Sequence, residues 1–331
     1  MLAPLRDGLL RSEQAVELQE SESPHVVRWQ IQRLDVHMRD QTDNPVLIMD
    51  ILADILRRLP NLRVLTFAIT GHGYDHTYDY LPERVLQATN VCRDSLRLLN
   101  WYGGVSPTYN AWASFLENHP RLEAISAPVD LIQLGNSHIV LDSLKSIFVH
   151  CRPSNWQNQD MLWNIKLPSI HHAIYEVDPS GFSLKDQRDF LRKIGSKLTS
   201  IQINIMTTDL EIYEPISRIV DTCESLTRVD IVTSEWLISP LFNSLFSIPK
   251  SVHTLGIKVI SYQVRKRSLV ELFLNIGNVL SRFPSVKTFC FTDRRNVRAL
   301  RAHPQTLSSQ LAGILMLGVN VLDHEGRPFV V

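Results

Sequence analysis

Leu59-Pro60-Asn61-Leu62-Arg63-Val64-Leu65-Thr66-Phe67 is the stretch on which the reading of this chain turns. From residue 62 it runs apolar, two variable residues, apolar, one variable, apolar, with Leu62, Leu65 and Phe67 in the apolar places. The proline just ahead ends any preceding helix and drives its neighbour towards extended structure. The same figure returns as Leu96-Arg97-Leu98-Leu99-Asn100-Trp101, as Leu122-Glu123-Ala124-Ile125 and as Leu144-Lys145-Ser146-Ile147-Phe148-Val149. A looser copy is Ile170-His171-His172-Ala173-Ile174-Tyr175. Further copies begin at Leu198, Leu226, Val252 and Val286, and one lies upstream at Ile31-Gln32-Arg33-Leu34-Asp35-Val36. The lead-in recurs too, as His119-Pro120-Arg121, Leu167-Pro168-Ser169, Ile248-Pro249-Lys250 and Phe283-Pro284-Ser285.

The ten first positions lie 31, 34, 26, 22, 26, 28, 28, 26 and 34 residues apart. A period of about 20–29 residues with this figure is the signature of leucine-rich repeats, the longer gaps being loop insertions. Segments between the copies read as helices. Asn44-Pro45 is a helix start, and Val46, Ile48, Ile51, Leu52, Ile55, Leu56 and Leu59 follow at helical spacing. Ser183 to Ile194, closed by Gly195, and Arg267 to Phe283 have the same amphipathic character. The predicted fold is therefore an α/β leucine-rich-repeat solenoid, a horseshoe of about ten irregular repeats. Parallel strands line its concave face and helices its convex face. Residues 26–325 form the solenoid. Residues 1–25 form an N-terminal cap or a partly disordered segment, in which Ser12 to Glu22 is an amphipathic end-cap helix. A doubly wound α/β domain also alternates strand and helix. It fits less well, because its strands read as continuous apolar runs and no phosphate-binding glycine signature follows any strand here.

The 331 residues carry 34 basic and 34 acidic side chains, so the formal net charge is zero. Nucleic acid and anionic membranes both call for a basic surplus that is missing. The apolar runs from Trp236 to Ile248 and Leu311 to Leu322 fall short of the roughly 20 residues needed to cross a bilayer. Arg6 and Asp7 interrupt the place where a signal peptide keeps its apolar stretch. Cys92, Cys151, Cys223 and Cys290 are far apart and read as reduced, buried thiols. A soluble protein of the cytoplasm or nucleus is expected.

The chain resembles the leucine-rich-repeat region of fungal F-box proteins of the basidiomycete type. Residues carrying the likeness are Arg33-Leu34-Asp35-Val36-His37, Ile55 to Leu65, Cys223-Glu224-Ser225-Leu226 and Phe283-Pro284-Ser285-Val286. The asparagine that standard repeats place ninth is missing, Thr70, Gly104 and Arg152 standing there instead. The resemblance implies the substrate-binding part of a ubiquitin-ligase receptor, whose F-box docks on the adaptor subunit. Of an F-box the first 25 residues offer only Leu2-Ala3-Pro4-Leu5 and Leu9-Leu10. A free-standing repeat scaffold unconnected with ubiquitin is the alternative.

Enzymatic signals are sparse. No G-x-S-x-G, Walker loop or G-x-G-x-x-G occurs. His72, Asp75 and His76 have metal-ligand spacing, but Gly71 and Gly73 around them argue for a solvated loop. His171 and His172, adjacent on a strand, point to opposite faces. The chain is read as a non-enzyme needing no metal or cofactor, with a metal-dependent hydrolase as the outlying alternative. Arg265-Lys266-Arg267 and Arg294, Arg295, Arg298 and Arg301 are basic clusters suited to a solvated face or to an acidic or phosphate contact.

Alternation along each strand sends the apolar places of the figure inwards and the intervening residues to the concavity. The expected partner-binding residues on that face are Leu98, Asn100, Tyr102, Phe148, His150, His172, Ile174, Glu176, Gln202, Asn204, Arg228 and Asp230. Their mix of aromatic, aliphatic and few charged side chains is the make-up of a protein-binding surface.

Overall fold

A computed structural model describes residues 2–18, 31–39, 45–70, 81–102, 108–126, 139–149, 166–177, 193–205, 222–234, 248–261 and 266–329, with Val220 and Trp236. They divide into two compact units. One comprises Met1–His150 with Asn158–Ser169, the other Cys151–Gln157 with Ile170–Val331.

The first unit holds α1 (Leu2–Leu18), β1 (Arg33–Arg39), α2 (Pro45–Leu56), β2 (Val64–Thr70), α3 (Leu81–Ala88), β3 (Leu98–Tyr102), α4 (Tyr109–Asn118), β4 (Ala124–Ser126) and β5 (Ser146–Val149). Its strands are all parallel and pair in sequence order. In the second unit β6 (His172–Val177), β7 (Ser200–Ile205), β8 (Arg228–Thr233) and β9 (Thr254–Val259) are followed by α5 (Lys266–Arg282), β10 (Thr288–Phe291), α6 (Arg294–Arg301), α7 (Pro304–Leu315) and β11 (Asn320–Leu322). These strands too are parallel and in sequence order.

Repetition is visible in the main chain. The N–H of the first apolar residue of a copy turns back on the carbonyl three places earlier: Leu62 on Leu59, Leu122 on His119, Leu226 on Cys223, Val286 on Phe283. The next two N–H groups share one carbonyl of the preceding copy, Arg97 and Leu98 on Arg63, Thr227 and Arg228 on Thr199, Lys287 and Thr288 on His253. Within each unit the strands bonded in this way therefore start at the same depth. The apolar places then stack in register: Leu34, Leu65, Leu99, Ile125 and Ile147 in the first unit, Ala173, Ile201, Val229, Leu255, Phe289 and Val321 in the second. All of them are buried. Phe67 and Trp101 meet at 4.6 Å between ring centres, and Phe289 and Phe291 meet edge-on at 5.2 Å. Removing such a side chain costs about 3–5 kcal/mol.

All ten copies predicted from sequence coincide with strands, and the expected helices at residues 45 and 267 are α2 and α5. Three outcomes differ or fall outside. The N-terminal helix begins at Leu2, earlier than expected, and packs on α2 with Leu9 buried. The segment from Ser183 lies outside the described residues except for its end at Lys193 and Ile194. An eleventh strand, β11, was not predicted. Register sets Phe289 against Val321, so the first and third apolar places of that copy fall on Gly318 and Asp323. Gly318 has φ 74°, and the buried Asp323 accepts hydrogen bonds from the N–H groups of Glu325 and Arg327. The turn so formed brings Phe329 back against Phe291, 5.3 Å between ring centres, and beneath Arg301.

Candidate functional site: the solvent-facing rows of the strands

Burial alternates along the strands, most regularly in β7, where the residue pattern from Ser200 to Ile205 is half-buried, buried, three times over. The half-buried positions form rows across neighbouring strands. Each unit has its own.

In the first unit Val64, Leu98, Ala124 and Ser146 make one row and Asp35, Thr66, Asn100, Ser126 and Phe148 the next. Leu98, Asn100 and Phe148 are half-buried. Thr66 and Ser126, expected to face outward, are buried at 8% and 4% exposure. Their small side chains lie below those of their neighbours, and Asn100 Nδ2 reaches over to donate to Thr66 Oγ1 at 3.4 Å. Arg33 and Asp35 pair at 2.7 Å at the end of the row. Hydrogen bonds from Arg33 and Thr66 hold the Asp35 carboxyl below its usual range. The backbone of Tyr102 ends β3 opposite Ala68, whereas its side chain and the whole of His150 lie outside the described residues.

The second unit carries the better-defined surface. One row runs His172, Ser200, Arg228, Thr254, Thr288, the next Ile174, Gln202, Asp230, Gly256, Cys290, and a third sets Glu176 beside Asn204. The Glu176 side chain lies outside the description. Polar side chains here hold one another. His172 Nδ1 lies 2.6 Å from Ser200 Oγ, Gln202 Nε2 donates to Asn204 Oδ1 at 2.8 Å, and Arg228 Nε donates to Asp230 Oδ2 at 2.8 Å. Arg228 also reaches Cys290 Sγ, 3.7 Å away and two strands over. Burial lowers the His172 pKa against the opposing effect of Asp230. Burial likewise pushes the Cys290 thiol up to about 11.

Gly256 makes this arrangement possible, and it was not among the expected residues. A Cβ there would lie 1.8 Å from Asp230 Oδ1. The carboxylate leans across β9 into the space that a side chain would fill. Asp230 Oδ1 is buried there without a hydrogen-bond partner. A glycine inside a strand signals close approach of another group, so Leu255-Gly256-Ile257 carried the hint.

Next to the serine–histidine contact, the N–H groups at the start of β7 and β8 are committed to the neighbouring carbonyls. Among the described residues no three His, Cys, Asp or Glu side chains gather as a metal cage. His72, Asp75 and His76 lie outside those residues. No helix among them is long and apolar enough to cross a membrane.

Parallel strands starting at one depth, a stacked leucine ladder and a repeated turn decide the architecture. Both units have the leucine-rich-repeat fold. No family model matches the sequence, and no curated protein is a recognisable relative. Among solved structures the chain is similar to the leucine-rich repeat-containing protein LegL7 from Legionella pneumophila, at 11% identity and a TM-score of 0.41, over 89% of this chain and 92% of that one.

Proposed function

We propose that this leucine-rich-repeat chain is a protein-binding module that holds its partner on the solvent-facing rows of its strands. The observation that carries the reading is the surface of β6 to β8. Its side chains are half-buried and fixed by mutual hydrogen bonds, and they mix one aliphatic group, Ile174, with neutral polar and oppositely charged groups. A surface fixed before binding loses little entropy when a partner arrives. We extend the same role to Leu98, Asn100 and Phe148 of the first unit, and to Tyr102, His150 and Glu176. Catalysis is not part of the role, and neither cofactor nor metal is needed.

On the F-box resemblance, the finer reading is a substrate receptor of a ubiquitin ligase acting in the cytoplasm or nucleus. The buried thiols of Cys92, Cys223 and Cys290 suit a reducing compartment. The test is affinity capture with the full chain from a host lysate, with the retained proteins identified. An Ile174→Glu/Gln202→Lys variant with an unchanged circular dichroism spectrum should lose a retained partner, and Leu274→Glu on the exposed side of α5 should keep it. Retention by both variants would refute the strand-row reading. Presence of the ligase adaptor among the captured proteins supports the receptor role, and its absence favours the free-standing scaffold.

A further inference from the structure

The most uneven charge among the described residues lies on α6. Arg294-Arg295-Asn296-Val297-Arg298-Ala299-Leu300-Arg301 holds four arginines and no acid, in a chain whose charges cancel. Its inner face is anchored. Val297 and Leu300 are buried, and the Asn296 amide donates to Val259 O at 2.7 Å while accepting from Val259 N–H at 2.8 Å. The four arginines are exposed on the other side.

Part of this placement works against the helix itself. Arg294 and Arg295 stand in the first turn, at the positive pole of the helix dipole. Arg294 and Arg298 are four residues apart, and Arg298 and Arg301 three apart. At those spacings like charges destabilise and opposite charges stabilise. Nearby acids do little to offset them. Asp323 pairs with Arg301 at 3.5 Å, while Asp293 caps the helix through Arg295 N–H and faces Lys258 at 3.8 Å. Arg294 and Arg298 make no ion pair among the described residues. Arg298 and Arg301 stand in the last turn, where the dipole favours them. The broken local rule is therefore the pair at the first turn together with the like-charge spacing, and such breaks mark functional positions.

We propose that the exposed face of α6 is a docking surface for a carboxylate-rich peptide segment of a partner protein, with Arg294 and Arg298 as its charge contacts. Four residues of helix rise about 6 Å. Alternate side chains of an extended peptide repeat at about 6.6 Å, so acids at every second position meet both arginines. Guanidinium forks bind carboxylates two bonds at a time. Nucleic acid is the poorer occupant, because the chain has no basic surplus. A membrane surface is poorer still, since Val297 and Leu300 are turned into the protein and leave no apolar face to insert. This surface is separate from the strand rows, and either assignment stands or falls alone.

A short fluorescein-labelled peptide of alternating glutamate and serine, titrated with the full chain at low salt, tests it by anisotropy. A glutamine–serine peptide and an oligothymidine serve as comparisons. The glutamate peptide should bind, and Arg294→Gln/Arg298→Gln should weaken it about tenfold or more, as loss of charge-assisted contacts implies. Lys250→Gln/Lys287→Gln, an equal loss of charge elsewhere, should leave binding within about twofold. Because the arginines repel one another, the double arginine variant should unfold at the same or a higher urea concentration than the parent. Absence of peptide binding, an equal loss in the lysine control, equally tight oligothymidine binding or a lowered urea midpoint would each overturn the assignment.

Discussion

Substituting alanine for Gly256 should be destabilising for a reason found outside the strand that carries it. Its φ lies outside the left-handed region, so the backbone accepts alanine. Less freedom in the unfolded chain would then stabilise by about 0.4–1 kcal/mol. Space reverses the sign. The new Cβ would lie 1.8 Å from Asp230 Oδ1 and 2.8 Å from Thr292 Cγ2, and the carboxylate must swing out. Its bond to Arg228 is then lost. Charged hydrogen bonds contribute about 1.5–3 kcal/mol, reduced here to about 1–2 kcal/mol because Arg228 is 42% exposed. Crowding of Thr292 adds up to about 1 kcal/mol. The net expectation is a loss of about 1–2 kcal/mol, read from urea unfolding followed by circular dichroism. In an Asp230→Ala background the main obstruction is gone, and Gly256→Ala should be neutral or slightly stabilising. The two sites should therefore couple by about 1–2 kcal/mol in a double-mutant cycle. Equal effects in both backgrounds would refute the account of the carboxylate filling the glycine's space.

Asn296→Ala should cost about 3–4 kcal/mol by urea unfolding, since it strands the N–H and C=O of Val259 as well as losing two bonds; a loss below about 1 kcal/mol would mean that water reaches them. His119 is buried where other lead-ins carry Leu59, Leu167 or Ile248, and burial lowers its pKa although carbonyls of Phe115 and Thr89 lie at 2.7 and 3.2 Å. Below its unfolded pKa of about 6.5 the unfolded chain takes up a proton that the folded chain resists, so stability should fall as pH drops from 7 towards 5.5. His119→Leu should flatten that slope, and an unchanged slope would place the effect elsewhere, His172 first. Burial raises the thiols of Cys92 to about 12 and of Cys223 and Cys290 to about 11. Iodoacetamide at pH 8 should accordingly label these three only on unfolding, as peptide mapping would show; rapid labelling of the native protein would contradict their burial.

Ten strands could be read from the chain because each copy must put an apolar side chain in the same three places to bury its share of a stacked core. Leu62, Leu65 and Phe67 are close in sequence, and their spacing is the whole signal. The eleventh copy escaped because its outer places are Gly318 and Asp323, which form a left-handed turn and hydrogen bonds from main-chain N–H groups instead of stacking. Strand alternation similarly separated the solvent-facing residues from the core, and Leu98, Asn100, Phe148, His172, Ile174, Gln202, Asn204, Arg228 and Asp230 all lie where alternation puts them.

Alternation could not tell that Thr66 and Ser126 sink below their neighbours, nor that Asp230 leans onto Gly256, nor that Arg228 reaches Cys290, 62 residues away. The period of a repeat is a local property, imposed on every copy by the same burial requirement. The chemistry of its outer face is set by which side chains register brings together from neighbouring copies. That choice involves lengths, charges and missing side chains on several strands at once, and only the folded sheet decides it.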